Sequence, residues 1–171
     1  GMDEIVNRVK ESGLIAMDLA DFKPKESLVG IDLADQLWQG LVLKEKDFRA
    51  WIKSNDWEVY ASQAVHVYCS VDAVIPTWAY MLVASQLESC GAKYVVGTEQ
   101  TLSSKLLLDN INALNLDEFR DERVIIKGCA DIDQPEVAMS ELVRKLQPVV
   151  KSIMYGEPCS TVPVFKRKQK K

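Results

Sequence analysis

The 171 residues suffice for one domain with an apolar core, and a composition of 47% hydrophobic and 27% charged residues is ordinary for a globular protein. The net charge is −4, but without the last six residues the chain carries 16 basic and 25 acidic residues. This acidic body argues against a broad nucleic-acid-binding face, and the lack of a long apolar run argues against a membrane span.

In the first half of the chain the pattern predicts a short helix over Asp3–Ser12 and strands over Leu14–Asp18 and Leu28–Leu33. The connection between these two strands is short, so we expect an antiparallel pair. Apolar residues at helical spacing predict a further helix over Lys44–Lys53.

The second half alternates strand and helix, which favours right-handed crossovers and parallel pairing. Val149–Tyr155 is expected to continue the last helix. The predicted strands are Ala64–Cys69, Lys93–Val96 and Arg123–Lys127, and the predicted helices are Pro76–Glu88, Leu102–Leu114 and Pro135–Leu146.

These elements predict an α/β fold: a mixed, mostly parallel sheet covered by helices, extended by the antiparallel N-terminal strand pair. We expect a single domain over residues 2–165. Residues 166–171 hold five basic side chains and are expected to form a disordered tail that could contact anionic groups.

Three of the four cysteines fall in predicted loops: Cys69, Cys129 and Cys159. Cys69 and Cys129 each close a strand-like run, and if those strands are parallel neighbours their thiols share the sheet edge where α/β proteins usually bind ligands. Thiolates from three loops are suited to zinc or an iron–sulfur cluster. The sequence therefore predicts a metal site with these three ligands, although the spacing matches no standard motif and unrelated buried thiols are the alternative.

Asp72 and Asp131 follow Cys69 and Cys129 and are candidates for a fourth ligand or for an acid–base role. One alternative function is a metal-free thiol enzyme with Cys69 as the nucleophile, since a helix N-terminus stabilises a thiolate. The only histidine, His66, is a poor partner for Cys69, because three residues of strand place it about 10 Å away on the other face.

A second alternative is a non-enzymatic interaction module, which would keep the cysteines apart and expose an apolar patch around Trp38, Trp51 or Trp57. No phosphate-binding or dinucleotide-binding glycine motif occurs, so no nucleotide cofactor is expected. Four dispersed cysteines without a leader segment indicate reduced thiols and a cytoplasmic protein. The small-molecule or protein partner and the oligomeric state stay open.

Three stretches carry a family resemblance: Cys69–Met81, Ile126–Cys129 and Leu146–Pro163, the last containing Tyr155-Gly156-Glu157-Pro158-Cys159. They resemble the bacterial family called domain of unknown function 2480, and the likeness extends from Val6 to Lys168. The resemblance implies a single-domain protein and brings no assigned activity, substrate or cofactor.

Overall fold

The computed structural model describes residues 7–9, 13–157 and 159–169, and only the backbone of residues 7–9. Among these residues the helices and strands alternate through most of the chain. They are β1 Asn7–Val9, β2 Leu14–Asp18, β3 Leu28–Asp32, α1 Glu45–Ser54, β4 Ala64–Tyr68, α2 Thr77–Ser89, β5 Lys93–Val96, α3 Glu99–Asn112, β6 Arg123–Lys127, α4 Pro135–Leu146, β7 Ser152–Glu157 and β8 Ser160–Lys166.

Backbone contacts divide the chain into two compact units where the sequence predicted one domain over residues 2–165. Unit 1 comprises residues 1–24 and 106–171, and unit 2 comprises residues 25–105. Unit 1 contains a five-stranded sheet of order β1-β2-β6-β7-β8, and unit 2 contains a three-stranded sheet of order β3-β4-β5. The chain is α/β, as predicted, and its apolar residues form a separate cluster for each sheet.

Unit 2 is a parallel sheet with two helices on one face. Val65 and Val67 of β4 are buried, and the residues that alternate with them lie on the other face. Phe48 of α1 and Val83 of α2 are fully buried in the same cluster. Removing each such side chain from water contributes about 1.5–3 kcal/mol, so these contacts fix both helices on the sheet.

Unit 1 has a parallel centre and antiparallel edges. β2, β6 and β7 are parallel neighbours, β1 runs antiparallel to β2, and β8 runs antiparallel to β7. Pro163 lies in β8, at the edge of the sheet, where a residue without an N–H group is tolerated. The core of this unit includes Ile15, Ile111, Val124 and Leu142.

The two units share one order of elements. In unit 2, β3 leads to a 3-10 helix (Leu33–Gln36), α1, a second 3-10 helix (Trp57–Tyr60), β4, α2 and β5. In unit 1, β2 leads to a 3-10 helix (Leu19–Phe22), and after residue 105 the unit continues with the second half of α3, a 3-10 helix (Leu116–Phe119), β6, α4 and β7. Unit 1 therefore has the same order of elements as unit 2, and in the sequence unit 2 interrupts unit 1 after its strand β2 and the 3-10 helix that follows.

Local sequence explains the likeness. Asp-Leu-Ala-Asp occurs as residues 18–21 and 32–35, and in both copies the first aspartate ends a strand and caps a 3-10 helix. The helices α2 and α4 also bury matching positions, four residues apart and beginning with alanine, which allows close approach to the sheet. These positions are Ala79, Val83 and Leu87 in α2, and Ala138, Leu142 and Leu146 in α4.

Several expectations for the ends of the chain were wrong. The antiparallel pair between Leu14–Asp18 and Leu28–Leu33 does not form, because β2 and β3 lie in different sheets and pair in parallel with β6 and β4. Within the predicted helix Asp3–Ser12, Asn7–Val9 is a strand, and the other residues of that helix lie outside the described residues. Ser152–Glu157 is the strand β7 instead of a continuation of α4.

Lys166 and Arg167, which were assigned to a disordered tail, are held by the fold. Lys166 ends β8, opposite Ser152. Arg167 donates to the carbonyl oxygens of Val149 and Val150 at 3.0 and 2.9 Å, so it is held by the fold.

Candidate functional site

Asp32 organises the carboxyl edge of the unit 2 sheet. Its Oδ1 accepts hydrogen bonds from the N–H of Ala34 at 2.9 Å and from the N–H of Ser70 at 3.0 Å. Burial raises the pKa of Asp32, but the hydrogen bonds from Ser70 and Ala34 outweigh it and hold this pKa below its usual value. One carboxylate therefore joins the segments that follow β3 and β4.

Cys69 lies beside this carboxylate, directly after β4. It is half-buried against the unit 2 core, and its thiol donates to the carbonyl oxygen of Val71 at 3.4 Å. Burial, with a smaller contribution from the charge of Cys69, raises the pKa of Tyr80 in α2. The thiol therefore contacts the backbone of its own loop.

His66 is engaged away from Cys69. Its Nδ1 lies 3.1 Å from the carbonyl oxygen of Gly97, and its ring stacks on Tyr68 with centroids 4.8 Å apart. Both rings cover Gly30 of β3, where a Cβ would lie 2.8 Å from His66 Nε2 and 2.9 Å from Tyr68 Cε1. This glycine makes room for the stacked pair.

Two segments leave the carboxyl edge of unit 2, residues 37–43 and 69–76, and we call them the edge loops. The first contains a tight turn in which Trp38 N donates to Val42 O at 2.7 Å, with Gln39 and Gly40 in the left-handed region. Lys44 Nζ lies 4.2 Å from the centroid of the Trp38 ring.

The edge loops expose five large apolar side chains. Leu41 is 64% exposed and Val74 is 93% exposed, and the other three are between two fifths and just over half exposed. The set is Trp38, Leu41, Val42, Val71 and Val74. Trp57, by contrast, is buried and Trp51 is half-buried, so of the three tryptophans proposed for an exposed patch only Trp38 marks one.

Cys129 and Cys159 belong to unit 1. They follow β6 and β7, which are parallel neighbours, and an ion pair between Lys127 and Glu157 (3.4 Å) joins the ends of these strands. Cys129 is half-buried against the unit 1 core, whereas Cys159 is exposed. Asp131 is exposed and lies 3.7 Å from Lys23 Nζ.

The condition under which Cys69 and Cys129 would share one sheet edge is not met, since β4 lies in one sheet and β6 in the other. Asp32 pairs with Tyr68 and Asp18 with Lys127, so the unit 1 position equivalent to Cys69 is Gly128. Within the described ranges, no three His, Cys, Asp or Glu side chains are grouped so as to hold a metal ion. The ligand set Cys69, Cys129 and Cys159 stays a prediction, as do the roles of Asp72, which is exposed, and Asp131.

A comparison with protein families finds a match that extends over residues 3–167 and so covers nearly the whole chain. The chain belongs to the family Protein of unknown function (DUF2480). This confirms the resemblance seen in the sequence motifs. Neither a curated protein nor a solved structure matches this DUF2480 chain.

Asp32 is the main residue of this DUF2480 site that the sequence interpretation missed. The signal was the repeated Asp-Leu-Ala-Asp, which marks a strand end followed by a capped turn in both units. Among the described residues of the chain, none of the helices has the length and apolarity that crossing a bilayer requires.

Proposed function

We propose that the chain is a non-enzymatic interaction module and that the edge loops of unit 2 dock a protein partner. The observation that carries this proposal is the exposure of five large apolar side chains on two adjacent loops. Monomeric proteins seldom keep such side chains clustered in water unless the surface is used. Asp32 caps the 3-10 helix that leads to the first edge loop and binds Ser70 in the second, which favours a surface that is organised before a partner arrives.

The equivalent loop of unit 1 shows that this exposure is not a requirement of the topology. Between β6 and α4 the chain reads Gly-Cys-Ala-Asp-Ile-Asp-Gln, and its one large apolar residue, Ile132, is buried. The loop between β4 and α2 places Val71 and Val74 outward instead. The difference supports a docking role for the edge loops of unit 2.

The test is site-specific photo-crosslinking in the native cells, with a photoreactive residue at Val74 and, as a matched control, at Val59. Val59 is also exposed and lies in the same unit, but in the 3-10 helix before β4. We expect a discrete crosslinked partner from position 74 and none from position 59.

The purified partner must then bind the whole chain directly. The double variant Leu41→Ser/Val42→Ser should weaken this binding about tenfold or more, as the loss of central apolar contacts does at other interfaces. Equal crosslinking from both positions, crosslinks to a second copy alone, or unchanged affinity of the double variant would each refute the proposal.

A second proposal retains the thiolate site, with zinc or an iron–sulfur centre and the ligands Cys69, Cys129 and Cys159. The observation in its favour is that β6 and β7 are parallel neighbours, so Cys129 and Cys159 leave the same edge of one sheet. Asp131 or Asp72 would complete the ligand set.

Elemental analysis of protein purified without air and without an affinity metal tests this proposal. About one zinc, or iron with matching sulfide, should be found per chain, and Cys129→Ser and Cys159→Ser should each lower it. Cys90→Ser is the matched control, because Cys90 donates to Leu87 O at the end of α2. Absence of metal, with four freely titrating thiols, would rule out the site.

A further inference from the structure

A cavity of about 380 Å³ lies in unit 1, between α4 and the strands β6, β7 and β8. This volume falls within the range of small-molecule sites, which is roughly 300–1,000 Å³. The cavity belongs to a different unit from the edge loops, so a ligand bound there does not depend on the proposed docking function.

The cavity exists because α4 covers only part of the sheet. The helix buries Ala138, Leu142 and Leu146, which leaves Met139 and Val143 on its flank. Beyond the helix, the side chains of β8 are exposed except for the half-buried Phe165. The face of the sheet beside α4 is therefore an open groove whose wall includes Val164.

The walls of the groove are apolar and adaptable. Two of the side chains are methionines, which are flexible and polarisable and fit ligands of irregular shape. The apolar lining includes Ile126, Met139, Val143, Ile153, Met154 and Val164. Such a lining suits an alkyl chain better than a polar metabolite.

Among the described lining residues the polar side chains are Glu136, Ser140 and Tyr155, and only Glu136 carries a charge. Ser140 donates its hydroxyl hydrogen to Val137 O at 2.8 Å, so its oxygen can only accept a further bond. The Glu136 carboxylate is exposed and, among the described residues, has neither a hydrogen bond nor an ion pair. None of the described lining residues is basic.

The N-terminus of α4 also lies at this end of the groove. Its dipole is equivalent to about half a positive charge, and the full negative charge of Glu136 outweighs it. The chain as a whole is acidic, which acts in the same direction. A ligand whose polar end is positively charged therefore complements the groove, and one with a carboxylate end does not.

We propose that the α4–β8 groove binds an amphiphile with a linear apolar chain and a cationic, ammonium-type head group near Glu136. The chain lies along Met139 and Val164. The head group remains partly in water, so its contribution is selectivity more than affinity.

The test is calorimetric titration of the whole chain with decyltrimethylammonium and with decanoate, both as monomers in solution. We expect the cation to bind about threefold more tightly than the anion, in keeping with an exposed charge pair. Glu136→Gln should remove this preference without abolishing binding of the cation. Equal binding of both ligands to the unaltered chain, or tighter binding of decanoate, would overturn the head-group assignment.

Filling the groove tests its location. Met139→Trp from the helix side and Val164→Trp from the strand side should each weaken binding about tenfold or more. Val137→Trp and Thr161→Trp are matched controls on the same helix and strand. Both positions are exposed and outside the lining, and Thr161 pairs with Gly156, which is also outside it, so both variants should bind as the unaltered chain does. Failure of the unaltered chain to bind either ligand, or equal binding by the filled and control variants, would overturn the proposal.

Discussion

Units 1 and 2 arrive at the same order of strands and helices from sequences that share little beyond Asp-Leu-Ala-Asp. They differ where the parallel strands end. In unit 2 the capping aspartate, Asp32, binds the N–H groups of both Ala34 and Ser70, whereas in unit 1 Asp18 binds that of Ala20. The common topology thus sets the positions of the loops. In unit 2 the additional hydrogen bond from Ser70 to Asp32 joins the segments that follow β3 and β4.

The largest expected losses of stability come from substitutions in the two apolar cores, and we expect these losses to be similar in both units. Phe48→Ala in unit 2 should lower the free energy of unfolding by about 3–5 kcal/mol, and Ile111→Ala in unit 1 by about 2–5 kcal/mol, because both side chains are fully buried. Urea unfolding followed by circular dichroism measures both. All four tryptophans lie in unit 2, so their fluorescence reports on Phe48→Ala specifically.

The control for these variants is Val59→Ala, at an exposed position, which should change stability by no more than about 0.5 kcal/mol. A cost below about 1 kcal/mol for Phe48→Ala would contradict the assignment of α1 to the unit 2 core.

A smaller loss of stability is expected from a substitution in the strand that precedes the capping aspartate, because the two units differ there. Gly30 and Ala16 stand two residues before Asp32 and Asp18, but only Gly30 is covered by the rings of His66 and Tyr68. Gly30→Ala should cost about 1–3 kcal/mol through overpacking and should shift the His66 ring resonances in the NMR spectrum. Unchanged His66 resonances would mean that the rings do not cover Gly30.

Removal of the two capping carboxylates sharpens the comparison further. Asp18→Ala should cost about 1 kcal/mol, the usual value for a lost cap, and Asp32→Ala should cost more, because two N–H groups lose their acceptor. Asp35→Ala, at the exposed second aspartate of the motif, is the control. Equal costs for Asp18→Ala and Asp32→Ala would show that the bond to Ser70 adds nothing.

The smallest effect is a dependence on pH. The pKa of Asp32 is lower in the folded chain than in the unfolded chain, so its contribution is present above the unfolded pKa of about 4 and is lost as the pH falls through the folded pKa. The stability difference between the unaltered chain and Asp32→Asn should therefore shrink between neutral pH and about pH 3. A constant difference over this range would contradict the assigned role of the carboxylate.

The local sequence pattern predicted the elements from β4 to α4 well. Buried apolar runs and helical spacing located β4, α2, β5, α3, β6 and α4 to within a few residues, and Pro135 marks the first residue of α4 as predicted. These elements form from contacts between neighbours in sequence, so a short window of residues contains the information.

Short windows of sequence did not show which strands pair with one another. Leu14 of β2 pairs with Arg123 of β6. The short connection from β2 to β3 led to a wrong prediction, because unit 2 separates β2 from β6 in the sequence. Val149–Tyr155 was assigned to a helix because its apolar residues are continuous, although they form a strand next to β6. The cysteines likewise seemed equivalent from spacing alone, whereas the register of the two sheets offsets them by one residue.

The insertion of unit 2 has a consequence for synthesis on the ribosome. Residues 25–105 contain all three strands of the unit 2 sheet, whereas β2 emerges before them and its parallel partner β6 emerges after them. Domains generally fold as units during translation, in the order in which they leave the ribosome. Ile15 and Met17, which are buried in the finished protein, therefore leave the ribosome before their parallel partner strand has been made.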